Sequence, residues 1–210
     1  MWAMGIDLSP TKAAWAIVAG HDMITYQVKP RIKVDAEDHA ARIRRANEIV
    51  GEIIDGIAAN HDAELIIAIE SGSAARRGGG LHHGEIMGIL LTELEKNWPG
   101  HWFLVNPIQL KMFATNNSKA DKEEIRLCVM KRWSFGAPQF GEDGSIVKKV
   151  SDDEVDAFVL AKMAEAVGNP VAFEKLTRQQ QEVLHRCFTY SGANKRRQGK
   201  ALNRQCKLRV

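Results

Sequence analysis

The chain has 210 residues, of which 45% are hydrophobic and 26% charged, so it can bury the core of one ordinary domain and is not disordered throughout. No apolar run is as long as a membrane span, and the first residues lack the layout of a secretion signal, so we expect a cytoplasmic protein without a membrane partner. The three cysteines show no CxxC spacing, which argues against a disulfide framework or a zinc cluster.

Positive charge is concentrated at the C-terminal end of the chain. Although the net charge is only +3, residues 175–210 contain ten Lys and Arg and a single acid, Glu182. A basic end on an otherwise acidic globule is typical of a protein that binds nucleic acid. Residues 195–210 contain seven Lys and Arg and almost no apolar side chains, so we expect this tail to be disordered without DNA and to bind its phosphates. The tail residues predicted to bind DNA are Lys195, Arg196, Arg197 and Lys200.

The first part of the chain passes from strand patterns to a helix and back to a strand. Three apolar runs separated by tight turns, at residues 2–8, 13–19 and 23–28, predict an antiparallel meander. Apolar residues at three- and four-residue steps predict a helix over residues 38–59. The unbroken β-rich run at residues 65–69 predicts a strand that is buried on both faces.

Helices dominate the rest of the chain. The same kinds of pattern predict a short strand over residues 101–105, a loop over 135–149, and helices over 82–96, 108–114, 119–133 and 152–167. This order predicts an α/β fold with a mixed five-stranded sheet flanked by helices. We place one domain at residues 1–168 and a second unit, a short helical segment with the flexible basic tail, at residues 169–210.

Three acidic residues occur where an apolar or neutral residue is expected. Asp7 ends the first apolar run, Glu70 follows five consecutive apolar residues, and Asp156 lies on the apolar side of the last long helix. A carboxylate near a core is unfavourable unless it is paired or bound to a cation. A strand-end turn or a helix cap explains each acid alone, but three together predict one shared partner, for which a divalent cation is the simplest choice.

The start of the last long helix offers a fourth carboxylate. Ser151 and Glu154 have the spacing of a capping box, so acids in this first turn have a structural explanation through the helix dipole. Asp153 lies three residues before Asp156 on the same helix face, about 5–6 Å away at Cβ, so both carboxylates can share one metal centre. Asp152, four residues before Asp156, can take the same part, and the spacing leaves this choice open.

Five short motifs stand in an order, and at predicted structural positions, that are specific when taken together. They are Gly5-Ile6-Asp7, Ile67-Ala68-Ile69-Glu70, Gly84-Glu85-Ile86-Met87-Gly88, the pair Lys111 and Lys122, and Asp153-x-x-Asp156-Ala157. With these motifs the chain resembles the RuvC-type Holliday junction resolvases, or crossover junction endodeoxyribonucleases, over roughly residues 1–167. One acid at a strand end is a weak signal, whereas four acids in this order with a lysine pair between them are much more specific.

The resemblance implies a fold, an activity and a set of site residues. It implies an RNase-H-like (RuvC-like) nuclease domain that nicks opposed strands of four-way junction DNA. It also implies two Mg²⁺ ions in each site, replaceable by Mn²⁺, which promote phosphodiester hydrolysis. Lys111 and Lys122 would contact phosphates near the scissile bond, and Lys122 is counted with the acids as catalytic. The metal ligands and catalytic acids that the resemblance implies are Asp7, Glu70, Asp153 and Asp156.

The resemblance further implies a homodimer, since the cutting of two opposed strands requires a two-fold enzyme. The candidate interface is the helix over residues 82–96, where an apolar face with glycines permits close approach. The residues assigned to this face are Gly84, Ile86, Gly88, Leu90 and Leu91.

The chain departs from the bacterial pattern in two segments. The loop at residues 71–80 lacks the aromatic residue that wedges into the junction in bacterial members, so we expect Arg76 and Arg77 to bind backbone phosphates there instead. The basic extension after Pro170 has no counterpart in that pattern. Both departures indicate a phage-type member, which would act in the cytoplasm of a bacterial host.

Three other functions compete with the junction-resolving nuclease. A broader branched-DNA nuclease, which cuts forks, flaps and three-way junctions with weak sequence preference, is favoured by the missing aromatic residue. A non-catalytic DNA-binding module is opposed by the intact set of acids. A sugar-kinase-like or actin-like ATPase requires two such domains with glycine-rich phosphate loops, which 210 residues cannot hold.

Overall fold

The computed structural model describes residues 1–20, 22–33, 38–59, 65–72, 80–136, 139–140, 146–148 and 150–190. Its centre is a five-stranded sheet with the spatial order β3-β2-β1-β4-β5. The first three strands form an antiparallel meander, whereas β4 pairs in parallel with both β1 and β5. The strands are β1 (Trp2–Leu8), β2 (Ala13–Ala19), β3 (Asp22–Val28), β4 (Leu65–Glu70) and β5 (Trp102–Val105).

Helices cover both faces of the sheet. One face packs against α1 (His39–Ala59) and α2 (Gly80–Asn97). The other face packs against α5 (Asp152–Gly168), beside which lie α3 (Pro107–Thr115) and α4 (Lys122–Trp133). Within the described part of the chain, none of the helices combines the length and the apolar character needed to cross a membrane. The shorter elements are β6 (Gln139–Phe140), β7 (Ile146–Lys148), α6 (Pro170–Glu174) and α7 (Arg178–Tyr190).

The two faces of the sheet carry side chains of different size, because successive strand residues point to opposite faces. Large side chains, Met4, Ile6, Ile67 and Ile69 among them, are buried against α1 and α2. The alternate positions of β1, β2 and β4, which face α5, are small. By the same alternation Asp7 and Glu70 lie on the face of α5. The small residues of this face are Ala3, Gly5, Ala14, Ala16 and Ala68.

Gly5 sets the close approach of α5 to β1. A Cβ atom at this position would overlap the backbone of Ala157 and Ala161, so any other residue requires the helix to move. Asp156 lies in the same turn of α5 as Ala157, and Asp7 lies two residues after Gly5. The glycine therefore brings two acids together that are 149 positions apart in the sequence.

The predicted α/β class and the mixed five-stranded sheet are confirmed, and the predicted elements begin and end within a few residues of the observed ones. The predicted loop over residues 135–149 contains the two short paired strands β6 and β7. Strands of two and three residues are too short to show the alternating pattern on which sequence prediction depends.

The interface face assigned to α2 is wrong in part. Ile86 and Leu90 are buried in the core, at 1% and 0% exposure, so they are not available to a partner. Gly84 and Gly88 are exposed on another side of the helix, and added Cβ atoms there would meet nothing within 4 Å. Residues two apart on a helix point in nearly opposite directions, so the glycines cannot share a face with Ile86 and Leu90.

The helical segment after Pro170 adds to the core on the side of α5. Val183, Leu184 and Cys187 of α7 are buried in the same cluster as the apolar residues of α3 and α5. The side chain of Gln180 is also buried, and its Nε2 donates a hydrogen bond to the carbonyl of Phe113 at 2.9 Å. α7 therefore holds the end of α3 in place, while the proposed domain boundary at residue 168 stays a prediction.

Candidate metal centre

Two carboxylates meet at one edge of the sheet because β1 and β4 are parallel neighbours. Ile6 stands opposite Ile69 in the register, so Asp7 and Glu70 occupy the next positions at the carboxyl ends of the two strands. Both residues are partly buried. The parallel pairing thus converts two acids that are far apart in the sequence into neighbours.

Asp156 completes a group of three carboxylates. One oxygen each of Asp7, Glu70 and Asp156 can be chosen so that all lie within 4.8 Å of one another. Among the described residues, this is the one group of three or more potential metal ligands that are so close together. The structure therefore brings together the three acids that the sequence singled out first.

The pKa values of these acids reflect their burial first and the neighbouring charges second. Burial raises the pKa of Asp7 well above its usual value, and the negative charges of Glu70, Asp156 and Asp153 raise it further, while Lys122 lowers it. Burial also raises the pKa of Asp156 to about 6, with Lys122 opposing this shift. Without a cation, the site thus favours protons on carboxylates that would be ionised in water.

The donor set fits a hard divalent cation. Carboxylate oxygens are the ligands that Mg²⁺ and Mn²⁺ prefer, and the described members of the group include no sulfur or imidazole. A bound cation would also offset the burial and, after it, the repulsion that raise the pKa values of Asp7 and Asp156. We therefore regard this group as a candidate metal centre, with Asp7, Glu70 and Asp156 as the residues that can hold an ion.

Asp153 lies beside this group and is paired with a lysine. Its Oδ2 forms an ion pair with Nζ of Lys12 and accepts a long hydrogen bond of 3.5 Å from Nε2 of Gln27. Its charge raises the pKa values of both Asp7 and Asp156, so it is close enough to act on them. This arrangement agrees with the prediction that Asp153 and Asp156 share one side of α5.

Asp152 is engaged in a different contact. Its Oδ1 accepts a hydrogen bond from Nη2 of Arg126 at 2.5 Å, and its Oδ2 lies 4.0 Å from Nζ of Lys122. Arg126 also donates to the carbonyl of Val150, so it ties α4 to the start of α5. The charge of Asp152 raises the pKa of Asp156, as that of Asp153 does, whereas Asp153 also raises the pKa of Asp7, and the choice between the two residues as the fourth carboxylate stays a prediction.

The first turn of α5 has the predicted capping box. The Oγ atom of Ser151 accepts a hydrogen bond from the backbone N–H of Glu154, and the Glu154 carboxylate accepts one from the backbone N–H of Ser151. The hydroxyl of Thr25, on β3, donates to Glu154 at 3.1 Å. These contacts fix the start of α5, and with it the positions of Asp153 and Asp156.

Both lysines that the resemblance selected lie near the acids. Lys122 opens α4, and its charge lowers the pKa values of Asp7 and Asp156. Lys111 lies on α3, donates a hydrogen bond to the carbonyl of Ala120 at 2.7 Å, and also lowers the pKa of Asp156. The two lysines therefore place positive charge on one side of the carboxylate group.

Lys12 is the residue at this site that the sequence did not reveal. It lies in the turn between β1 and β2, and its side chain is 47% exposed although it pairs with Asp153. A lysine in a turn is usually a solvated surface residue, so its position five residues after Asp7 gives no signal by itself. Its contact with α5 depends on how the helix packs across the strands.

The other predicted DNA-binding residues lie outside the described residues. Arg76 and Arg77 fall in the segment 73–79, and the tail residues fall in 191–210. Their predicted roles therefore stay predictions. The tail residues concerned are Lys195, Arg196, Arg197 and Lys200.

Solved structures of one family share this arrangement of elements. The structure of Thermus thermophilus RuvC matches with a TM-score of 0.52 at 20% identity, covering 77% of this chain and 91% of that chain. T. thermophilus RuvC in complex with Holliday junction substrate matches with a TM-score of 0.51 at 20% identity, covering 77% and 90%. No protein-family model and no curated protein sequence matches this chain. The resemblance to RuvC-type resolvases is thus confirmed at the level of the fold, which is RNase-H-like.

Proposed function

We propose that this protein is a metal-dependent, structure-specific endonuclease that nicks opposed strands of Holliday junctions by phosphodiester hydrolysis. The observation that carries the proposal is the convergence of Asp7, Glu70 and Asp156 at one edge of a RuvC-like sheet. A solved structure with the same fold is a complex with Holliday junction substrate, which supports branched DNA as the substrate class. An enzyme that acts on such a substrate would work in the cytoplasm, bound to DNA.

The proposed ligands of two Mg²⁺ or Mn²⁺ ions are Asp7, Glu70, Asp156 and, beside them, Asp153. When bound, the ions would supply positive charge at the scissile phosphate and lower the pKa of the attacking water. The four carboxylates would orient the ions. Their negative charge would attract cations and would repel a phosphate that approaches without them.

The lysines around the acids would bind and orient the DNA backbone. Lys122, which we propose as a catalytic residue, and Lys111 would attract the phosphate next to the site. The charge of Lys122 already acts on Asp7 and Asp156, and that of Lys111 acts on Asp156. Arg76 and Arg77 would bind phosphates of the junction arms. The first unit, residues 1–168, would thus contain the catalytic residues, and residues 169–210 would increase the affinity for DNA.

We propose a homodimer because opposed strands of a two-fold junction require two sites. The described surface of α2 that remains for such an interface is the side of Gly84 and Gly88, with the exposed side chain of Leu81 and the half-buried Leu91 nearby. The glycines would permit the close approach of a second helix. Sedimentation at micromolar concentration, with and without junction DNA, tests this: a monomer in both cases would rule the dimer out.

A broader branched-DNA nuclease is the second candidate. The observation that favours it is the sequence of the loop after Glu70, Ser71-Gly72-Ser73-Ala74-Ala75-Arg76-Arg77, which has no aromatic side chain to separate the strands of a junction. Such an enzyme would use the same carboxylates. It would differ in which branched structures it accepts and in a weak preference for sequence at the cut.

The experiment that tests both candidates compares substrates. The purified protein is incubated with Mg²⁺ and end-labelled four-way, three-way, flap, linear duplex and single-stranded DNA, and the nicks are mapped. Paired nicks in opposed strands of the four-way junction support the resolvase, whereas comparable cutting of flaps and three-way junctions supports the broader nuclease. A lack of cutting on every branched substrate, in both Mg²⁺ and Mn²⁺, would refute the proposed function.

Removal of the basic tail tests the proposed contribution of residues 192–210 to DNA affinity. Truncation after Ser191 should weaken binding to branched and linear duplexes alike, and the slope of log affinity against log salt should fall by about 0.9 for each phosphate that the shortened chain no longer neutralises. The cleavage rate at saturating enzyme should not change, since the proposed metal ligands and the catalytic Lys122 all precede Gly168. Unchanged affinity with an altered choice of branched substrate would show that the tail recognises geometry instead.

A further inference from the structure

A group of exposed cations lies at the same edge of the sheet as the candidate metal centre. Residues 29–33, with the sequence Lys29-Pro30-Arg31-Ile32-Lys33, follow directly after β3, and we call them the basic segment. The exposure of its residues alternates, because the three cations are exposed whereas Pro30 and Ile32 are half-buried. All the positive charges of the segment are therefore on its solvent side.

Glu48 of α1 fixes the backbone of the basic segment. Its Oε1 accepts a hydrogen bond from the backbone N–H of Arg31 at 2.9 Å, and its Oε2 accepts one from the backbone N–H of Ile32 at 3.2 Å. Hydrogen bonds to a charged acceptor are stronger than those between neutral groups. The backbone of the segment is thus held against α1 before any ligand binds, which lowers the entropy that binding would cost.

The cations of the basic segment have no acidic partners within the described part of the chain. None of the ion pairs between described residues includes Lys29, Arg31 or Lys33. Glu48 is occupied by backbone N–H groups, and its single charge cannot balance three cations. The next acids along the chain, in residues 34–37, lie outside the described residues. The excess of positive charge in the described segment favours a polyanion as its partner.

The strand register places the basic segment beside the carboxylates. Asp7 pairs with Ala14 on β2, and Ala14 pairs with Gln27 on β3, so these three residues form one row across the sheet. Neighbouring strands are about 4.8 Å apart, which puts the Cα atoms of Asp7 and Gln27 about 10 Å apart. The side chain of Gln27 donates a hydrogen bond to Asp153, on the face of the sheet that carries the acids. The basic segment begins two residues after Gln27.

Lys12 connects the basic segment to the candidate metal centre. Ala13 pairs with Val28, so Lys12 and Lys29 occupy the next positions beyond the last pair of β2 and β3. The side chain of Lys12 contacts Asp153. Positive charge therefore continues from the carboxylates along this edge of the sheet and past the end of β3.

We infer that the basic segment binds the phosphate backbone of the DNA strand that passes the metal centre, on the β3 side of the scissile phosphate. The inference rests on the proposed function. The phosphates of one strand advance about 3.4 Å each along a duplex, so a strand held at the carboxylates would reach the end of β3 in about three nucleotides. Contacts of Lys and Arg with phosphates position the DNA without reading its sequence. The segment would therefore fix the path of the strand and increase affinity without selecting bases.

The first test compares the same change at opposite edges of the sheet. Lys29→Gln removes a charge of the basic segment, whereas Lys96→Gln removes one near the end of α2, which lies just before the start of β5. Affinity for a four-way junction is measured in Ca²⁺ over a range of salt. The slope of log affinity against log salt should fall by about 0.9 in Lys29→Gln, by about 2 to 3 in the triple variant Lys29→Gln/Arg31→Gln/Lys33→Gln, and not in Lys96→Gln. An unchanged slope in the triple variant, or equal slopes in Lys29→Gln and Lys96→Gln, would overturn the inference.

The second test locates the contact on the DNA and does not depend on cleavage. Single phosphates within about five nucleotides of the branch point are replaced by neutral methylphosphonates, and binding is measured for the wild type and the triple variant. A direct contact predicts that some replacements weaken binding of the wild type at least fivefold but leave binding of the triple variant unchanged. Equal losses for both proteins at every position would overturn the inference, because the segment would then act only through its net charge.

The controls separate this inference from the proposed function. Thermal melting of each variant establishes that it is folded, and Arg31→Gln and Lys33→Gln provide single-site measurements if the triple variant is unstable. If the wild-type protein cleaves no branched DNA but the methylphosphonate effects depend on the basic segment, the proposed function fails and the DNA-binding surface stands. If cleavage occurs but the triple variant keeps the full salt slope, the DNA-binding surface fails and the proposed function stands.

Discussion

The carboxylates in the first turn of α5 have different surroundings from the carboxylate of Asp156, which lies one turn further along the helix. In the first turn, Asp152 is paired with Arg126, and Glu154 caps the helix through Ser151. Asp156 instead lies within 4.8 Å of two other acids, and burial raises its pKa to about 6. The same helix thus contains acids that are paired with hydrogen-bond donors and an acid that lies next to other acids.

The difference separates acids that stabilise the fold from acids that are available for chemistry. A carboxylate with an arginine or a capping N–H stabilises the protein on its own. A cluster of buried carboxylates destabilises the protein unless a cation joins it, so it is retained for a function. Asp153 stands between the two groups, because it is paired with Lys12 and also acts on Asp7 and Asp156.

The largest expected effect is the loss of cleavage when a clustered acid is neutralised. Asp7→Asn, Glu70→Gln and Asp156→Asn should each lower the cleavage rate about a thousandfold or more, because each removes a ligand of the proposed ions, which contribute several kcal/mol. Junction affinity should remain nearly intact, since it comes mostly from phosphate contacts. Single-turnover cleavage and binding assays on the same junction measure both quantities.

The matched control for this prediction is Asp55→Asn. Asp55 is exposed on α1, so the same chemical change there should leave the cleavage rate within about twofold. Substantial residual cutting by any one of the three site variants would remove that residue from the metal centre. A loss of cleavage in Asp55→Asn would show instead that net charge alone accounts for the effect.

Sequence periodicity was sufficient to predict the sheet and the main helices. The apolar run that ends in Glu70 and the pattern around Asp156 placed both acids correctly at a strand end and on the inner side of a helix. Their meeting with Asp7 follows from the parallel pairing of β1 with β4 and from the close approach of α5 at Gly5. The acids of the group were therefore predictable because a carboxylate in an apolar run is unusual by itself.

The rest of the site could not be predicted because it depends on contacts between distant segments. Lys12 has an ordinary position in a turn, and only the packing of α5 across the strands gives it Asp153 as a partner. The same limit explains why the interface face of α2 was predicted wrongly. Ile86 and Leu90 are buried in the core, but large apolar residues are typical of interfaces as well.

A comparison of Asp152 with Asp153 tests which acid of the first turn belongs to the metal centre. Asp153→Asn should lower the cleavage rate about a hundredfold, because it weakens the hold on one ion, while Asp152→Asn should lower it about threefold or less. Asp152→Asn should instead destabilise the protein by about 1 kcal/mol, because it weakens the hydrogen bond from Arg126. Cleavage rates and urea denaturation of both variants give the result. A reversed order of the two rates would make Asp152 the ligand.

The pH dependence of stability gives a smaller but more direct measure of the burial of Asp156. The pKa of Asp156 rises from its usual value of 3.8 to about 6 in the folded protein, so between these values the folded state binds more protons than the unfolded state. The contribution of this group to stability is therefore present below pH 4 and is lost as the pH rises through about 6. In chelator at pH 8, Asp156→Asn should be more stable than the wild type by about 1 to 3 kcal/mol.

Denaturation at pH 4 and pH 8 separates this effect from a general change in stability. The advantage of Asp156→Asn should disappear at pH 4, where the wild-type carboxyl is protonated, and Mg²⁺ at pH 8 should stabilise the wild type but not the variant. An Asp156→Asn variant that is less stable than the wild type at pH 8 in chelator would mean that this acid, like Asp152, contributes to the fold.

The smallest expected effect concerns Lys12, which is a partner of Asp153 and a competitor of any cation at the site. Its ammonium group contacts the carboxylate that we propose as the fourth ligand, and the side chain is 47% exposed, so solvent screens much of its charge. Lys12→Met should therefore tighten Mn²⁺ binding only about threefold, as measured by calorimetry at fixed pH and low salt. Lys96→Met, on the exposed surface of α2, removes the same charge from a side chain that is 71% exposed and should leave Mn²⁺ affinity unchanged. If Lys12→Met binds Mn²⁺ more weakly than the wild type, the lysine holds Asp153 in the geometry for metal binding, and its contact with that acid stabilises the site.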